Sequence, residues 1–202
     1  MKITARASLG EVALQVGDAL RRHGIRAVLT GGACASLHSG GEYHSVDMDF
    51  IVLGPVTQAA LDAAMASVRF RRTGDRYVHP RAPFYIEFPR GPLAIGGDYR
   101  VRPVEHRLRH ARALVLSPTD SCRDRLAAFY HWNDRQSLAV AVSIALRNRV
   151  NMAAVRRWSI AEGAEPRFRE FLTELKSARR RRSRPAASRS RAGRSPQRST
   201  QL

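Results

Sequence analysis

One stretch of this 202-residue chain constrains its fold more than any other: Ser45-Val46-Asp47-Met48-Asp49-Phe50-Ile51-Val52-Leu53. Two acids alternate with apolar residues, the stretch ends in a continuous apolar run, and Gly54-Pro55 closes it. A period of two marks a strand with one covered face, and a glycine–proline pair ends such a strand. Positions i and i+2 of a strand face the same way, so Asp47 and Asp49 project together and Met48 faces opposite. Two carboxylates on one face repel each other unless a cation lies between them. A hard divalent ion such as Mg²⁺ takes oxygen ligands of this kind and keeps positions for water and phosphates.

Fourteen residues separate this acidic pair from Gly31-Gly32. Ile25 to Thr30 reads as a short strand ending at the glycines. Ala33, Ala35, Ser36 and Leu37 read as a short helix closing at Gly40-Gly41. Glycines where a strand ends and a helix begins let backbone N–H groups approach a phosphate at the helix's positive end. Thr30, Gly31 and Gly32 are therefore the candidate phosphate-binding residues. Either feature alone is ordinary, a tight turn or a surface acidic pair. In the order strand, diglycine, helix, strand, acidic pair, the two fit together to hold a triphosphate and the metal that neutralises it.

The surrounding pattern predicts helices over Leu9 to His23, closed by Gly24, and from a Thr57 cap to about Val68. Short β-like pieces follow at Arg76 to Val78, Phe84 to Phe88, Tyr99 to Val104 and Ala113 to Leu116. Pro118-Thr119-Asp120 starts a helix that continues through Trp132. Asn133 to Arg147, Met152 to Glu162 and Pro166 to Lys176 are the next three. This order predicts an α+β fold: a small mixed sheet flanked by helices over residues 1–117, then a helical bundle over 118–176, not a doubly wound sheet. His131-Trp132 reads as packing at the edge of the core.

Lysine and arginine total 35 against 17 acids, a net charge of +18. Ten of the basic residues lie between Lys176 and Leu202, where there are no acids. Residues 177–202, rich in arginine and serine, hold one apolar side chain larger than alanine, Leu202, and are expected to be disordered. The charge favours polyanionic partners such as RNA or nucleotides. No apolar run reaches the roughly 18 residues of a membrane span, and the first residues lack the apolar region of a secretory signal. Cys34 and Cys122 form no CxxC pair or disulfide framework, which together points to a cytoplasmic protein. The seven histidines show no zinc-ligand spacing. His38 and His44 flank the loop before the acidic pair, solvated or close to the nucleotide.

The segment VLTGGACASLHSGGEYHSVDMDFIV resembles the signature of the nucleotidyltransferases of the DNA polymerase β superfamily. That signature is a hydrophobic strand, G-G or G-S, a spacer of about a dozen residues, then two aspartates alternating with apolar residues. The chain is most similar to the bacterial AbiEii-like branch, whose members include toxins of toxin–antitoxin pairs. The resemblance covers about residues 10–175, with its specific part at 28–53. The spacer is a little long, with Gly40-Gly41-Glu42 as an insertion. SPTDSCRDRLAAFYHWNDRQSLAVAV resembles the helical segment that follows the sheet in these proteins.

The resemblance implies transfer of a nucleoside monophosphate from an NTP to an acceptor hydroxyl on RNA, tRNA or protein. It implies Mg²⁺ or Mn²⁺ held by Asp47, Asp49 and a third carboxylate on a neighbouring strand. Glu87 is the candidate, with Asp98 and Glu105 as secondary ones among glycines and prolines. The alternative for Glu87 is a solvent-facing acid on an edge strand, paired with Arg81 or Arg90. The family also carries a basic residue and an acid in the following helices, here Arg125 and Asp134, the basic one against the triphosphate. Lysine is commoner there, and the alternative is an ordinary helix-surface pair. A cognate antitoxin is the implied protein partner. A different class of reading is a non-catalytic nucleotidyltransferase-like protein that binds nucleic acid through its arginines and tail.

Overall fold

A computed structural model describes residues 3–41, 43 and 45–183. Helix α1 (Leu9–Arg22) opens with a capping box between Ser8 and Glu11. It buries Val12, Ala13, Val16, Ala19 and Leu20. It stops where Gly24 turns left-handed (φ 73°), with the Ile25 N–H on Leu20 O at 2.9 Å. Strand β1 (Ala27–Leu29), helix α2 (Gly31–His38) and strand β2 (Asp47–Val52) follow. Thr57 caps α3 (Gln58–Ser67). Then come β3 (Arg71–Thr73), β4 (Arg76–Val78), β5 (Tyr85–Glu87), β6 (Val104–Leu108) and β7 (Ala111–Val115).

The seven strands form one mixed sheet in the order β3-β4-β5-β2-β1-β7-β6. β1 runs antiparallel to β2 and parallel to β7, while β2 runs parallel to β5. The sheet's covered face carries Met48, Phe50 and Ile86, all fully buried. Gly17 lets α1 lie on that face, because a Cβ there would overlap the Ala113 Cβ. The fold is thus α+β, with helices flanking a mixed sheet.

Two β segments differ from expectation. β3 carries no sequence signal, because Arg71, Arg72 and Thr73 are all exposed and show no alternation. The strand expected over Tyr99 to Val104 instead begins at Val104 and runs to Leu108. A tight turn ahead of it, closed by the Ile95–Asp98 bridge, holds the backbone elsewhere.

Helices α4 (Pro118–Trp132), α5 (Arg135–Arg147), α6 (Met152–Ala161) and α7 (Glu165–Ser183) complete the described chain. Buried side chains on both sides of Pro118 belong to one hydrophobic cluster. Arg123 joins them. Its side chain is 8% exposed, bonds Asp98 at 2.6 Å and Asp120 at 2.9 Å, and lies over the Trp158 ring. The Trp158 indole N–H reaches Ile95 O at 3.1 Å, and the Gly97 N–H donates to Glu162 at 2.7 Å. The 95–98 turn is thereby fastened to the helices, which occupies Asp98. Glu105 pairs at the surface with Arg107.

Trp132 is 77% exposed and is not part of the core. Phe129 and Tyr130 fill that role, and α4 ends soon afterwards at left-handed Asn133 (φ 55°). Helix α7 continues past Lys176 to Ser183, well into the segment expected to be disordered. Arginine and alanine are good helix formers, basic residues suit a helix C-terminus, and Ala178 packs against the core. The remainder of that expected tail, 184–202, lies outside the described residues. Among the described residues no helix is long and apolar enough to cross a membrane.

Candidate active site

Strand β2 alternates as its sequence dictates, with Asp47 and Asp49 half-buried on one face and Met48 and Phe50 buried on the other. The parallel pairing with β5 sets Asp47 opposite Tyr85 and Asp49 opposite Glu87. On the next strand, Arg76 lies opposite Glu87, with its guanidinium 5.0 Å from the centre of the Tyr85 ring. Register partners share a face, so Asp47, Asp49, Tyr85, Glu87 and Arg76 line one side of the sheet. β5 is an interior strand, which removes the edge-strand alternative for Glu87. Neither Arg81 nor Arg90 pairs with Glu87 among the described residues.

The diglycine meets this face. Thr30 donates its N–H to Asp49 O at 2.9 Å, extending the β1–β2 ladder to the first turn of α2. Gly31 is left-handed (φ 62°), and a Cβ on it would lie 2.8 Å from Asp49 Oδ2. Glycine is needed there both for conformation and for space. A Cβ on Gly32 would meet the Tyr43 ring at 2.8 Å and Ser45 Oγ at 2.9 Å. Ser45 in turn donates to Asp47 Oδ1 at 2.5 Å, which fixes that carboxylate.

The N-terminus of α2 is also left without a side-chain cap. Ser8, Thr57, Ser117, Asp134 and Asn151 each accept a backbone N–H at the start of their helices, whereas Thr30 does not. Uncapped N–H groups at a helix start suit an anion.

Helix α4 supplies the remaining charges. Arg125 makes two hydrogen bonds to Asp124, at 2.8 and 3.1 Å, and both side chains are largely buried. Burial raises the pKa of the Asp49 carboxyl to about 6, with Asp47, Glu87 and Asp124 adding to the shift and Arg125 opposing it. The face therefore carries more negative charge than its own residues neutralise.

Asp134 has a different occupation. It caps α5, accepting the N–H groups of Gln136 and Ser137 at 2.9 and 3.1 Å and the Ser137 hydroxyl at 2.7 Å. The Ser137 hydroxyl chiefly holds its carboxyl below the ordinary range, and Arg125 contributes only the last of the effects. His38 is buried against Leu116 O at 2.9 Å, so it packs the fold instead of facing solvent. His44 lies outside the described residues. Cys34 and Cys122 are fully buried, which pushes both thiols up to about 12 and leaves no reactive thiolate.

The donor set is all hard oxygen, the chemistry that suits Mg²⁺ or Mn²⁺. The raised pKa of Asp49 marks a place where a cation would relieve repulsion. Among the described residues, no three His, Cys, Asp or Glu side chains are gathered closely enough to hold a metal as they stand. Asp47, Asp49 and Glu87 fit the ion by chemistry and by shared face, with their side chains still apart.

Sequence reasoning missed Asp124, Tyr85 and Ser45. Asp124 had a local signal, since it precedes Arg125 where the apolar run of the helix begins at Leu126. Tyr85 and Ser45 had none, because strand register and loop path bring them to the acids. Comparison with protein-family models, curated proteins and solved structures finds no match to this chain.

Proposed function

We propose that this protein is a metal-dependent nucleotidyltransferase, moving a nucleoside monophosphate from an NTP to an acceptor hydroxyl. The observation that carries the reading is the approach of Asp49 to Gly31, which makes the acidic pair and the diglycine bend a single site. Asp47, Asp49 and Glu87 are the residues to hold Mg²⁺ or Mn²⁺. When bound, the cation neutralises the triphosphate, lowers the pKa of the attacking hydroxyl and stabilises the leaving pyrophosphate.

The chain's own groups do the rest. The uncapped N–H groups of α2 and the Arg125 guanidinium orient the triphosphate. Glu87 accepts the proton of the acceptor hydroxyl as its oxygen bonds to the α-phosphorus and pyrophosphate departs. Arg76 beside the acids, together with the +18 charge, favours a polyanionic acceptor such as RNA or tRNA over a protein hydroxyl. Action as a toxin restrained by a cognate antitoxin is compatible with this chemistry.

Incubation with each labelled NTP, Mg²⁺ and total RNA or lysate tests the reading. Wild type is expected to label an acceptor and release pyrophosphate, and the Asp47→Ala/Asp49→Ala double variant to do neither. The second reading, a non-catalytic nucleic-acid-binding protein, is favoured by the net charge. It prevails if both proteins bind RNA and neither releases pyrophosphate.

A further inference from the structure

Asp124 and Arg125 lie side by side on α4, with the arginine side chain 14% exposed and the aspartate 21%. A guanidinium so far from water needs acceptors for its nitrogens. Asp124 supplies them along one edge: its Oδ2 accepts from Nε at 3.1 Å and from Nη2 at 2.8 Å. The third nitrogen, Nη1, has no hydrogen-bond partner among the described residues, and it is open to solvent.

Arg123, two residues earlier, shows the contrast. Its Nε also lacks a partner but is sealed inside the protein, and its other two nitrogens are taken by Asp98 and Asp120. Arg123 fastens the fold and has nothing left for a ligand. Arg125 keeps a donor on offer.

That donor stands beside the candidate site. Helix α2 packs on α4. Asp124 and Arg125 both act on the thiol of Cys34, in the first turn of α2, and both act on the Asp49 carboxyl. Burial by itself disfavours the Arg125 charge, and Asp124 is the largest of the effects that restore it.

We propose that Asp124 is a positioning residue for the triphosphate: it holds one edge of the Arg125 guanidinium and so directs the open Nη1 to a phosphate oxygen. The inference rests on the metal–triphosphate site proposed above. An unheld arginine samples many rotamers and turns its head to water. Pinned along one edge, it meets the phosphate without first losing that freedom. On charge alone Asp124 repels a triphosphate, so its two effects have opposite signs and can be separated.

The full-length protein with Mg²⁺ is titrated with each NTP by calorimetry. Asp124→Asn and Asp124→Ala remove the same charge, but only the second removes the acceptor that holds Arg125. Asp124→Asn is expected to bind at least as tightly as wild type, and Asp124→Ala at least tenfold more weakly than Asp124→Asn. In an Arg125→Ala background the difference is expected to vanish, because no guanidinium is left to position. Asp124→Leu, which fills a similar volume without an acceptor, replaces Asp124→Ala if that variant does not fold, with the same expectation. The proposal is overturned if the neutral variants bind alike, or if their difference persists without Arg125. Pyrophosphate release separates this result from the reading it rests on. Wild type that binds NTP but releases no pyrophosphate refutes transfer, and the variants still decide the role of Asp124. Wild type that binds no NTP overturns both.

Discussion

At Asp49 the carboxyl pKa stands at about 6 because the group is buried beside Asp47, Glu87 and Asp124. Between its ordinary value of 3.8 and 6, the folded chain holds a proton there that the unfolded chain has released. The contribution of this group to stability is therefore full at low pH and is lost as pH rises through 6. Asp49→Asn is predicted to stabilise the metal-free protein at pH 7.5 by about 1 kcal/mol, allowing for solvent screening. The gain should vanish near pH 3, as urea unfolding at the two pH values would reveal, while nucleotidyl transfer is lost. Gly31 gives a second residue-scale test. Gly24→Ala meets open space at φ 73° and should cost about 1 kcal/mol from conformation alone. Gly31→Ala adds a clash with Asp49 Oδ2 at 2.8 Å and should cost more than Gly24→Ala in the same unfolding measurement.

Elements with a cap and a clear period are legible in the sequence, and those without are not. The Thr57 cap and the apolar stripe of α1 announce their helices before any tertiary contact is known. β3 has three exposed residues and owes its existence to pairing with β4, a non-local fact. The end of α7 escapes the pattern because its regular apolar spacing stops at Leu175, after which helix propensity, the basic C-terminal turn and the packing of Ala178 carry it to Ser183. The family resemblance pairs Asp134 with Arg125, whereas its bonds are those of a helix cap. Asp134→Ala is accordingly predicted to lower stability by about 1 kcal/mol. Asp134→Asn keeps an accepting oxygen and should hold both stability and activity near wild type. A catalytic role would instead show as lost activity in Asp134→Asn at unchanged stability.

For the molecule as a whole, the sheet half and the helical half are fastened by Arg123 between Asp98 and Asp120. Arg123→Ala takes the guanidinium from Asp120 and leaves Asp98 with the exposed Arg100 alone, and is predicted to cost about 3 kcal/mol in urea unfolding. The candidate site is legible only as far as it is local. Asp47, Asp49, Gly31 and Gly32 sit close in sequence, on consecutive elements whose β1–β2 pairing brings them together. Glu87 needs the parallel register of β2 with β5, and Asp124 needs the packing of α2 on α4, neither of which a linear pattern encodes. The central claim, that acids and diglycine form one metal–triphosphate site, is tested most directly by titrating Mn²⁺ with ATP present and absent, followed by electron paramagnetic resonance. Wild type is predicted to bind Mn²⁺ more tightly with ATP, Asp47→Ala/Asp49→Ala to lose protein-bound Mn²⁺, and Gly31→Val to lose the enhancement by ATP. Protein-bound Mn²⁺ at wild-type affinity in the double aspartate variant would contradict it.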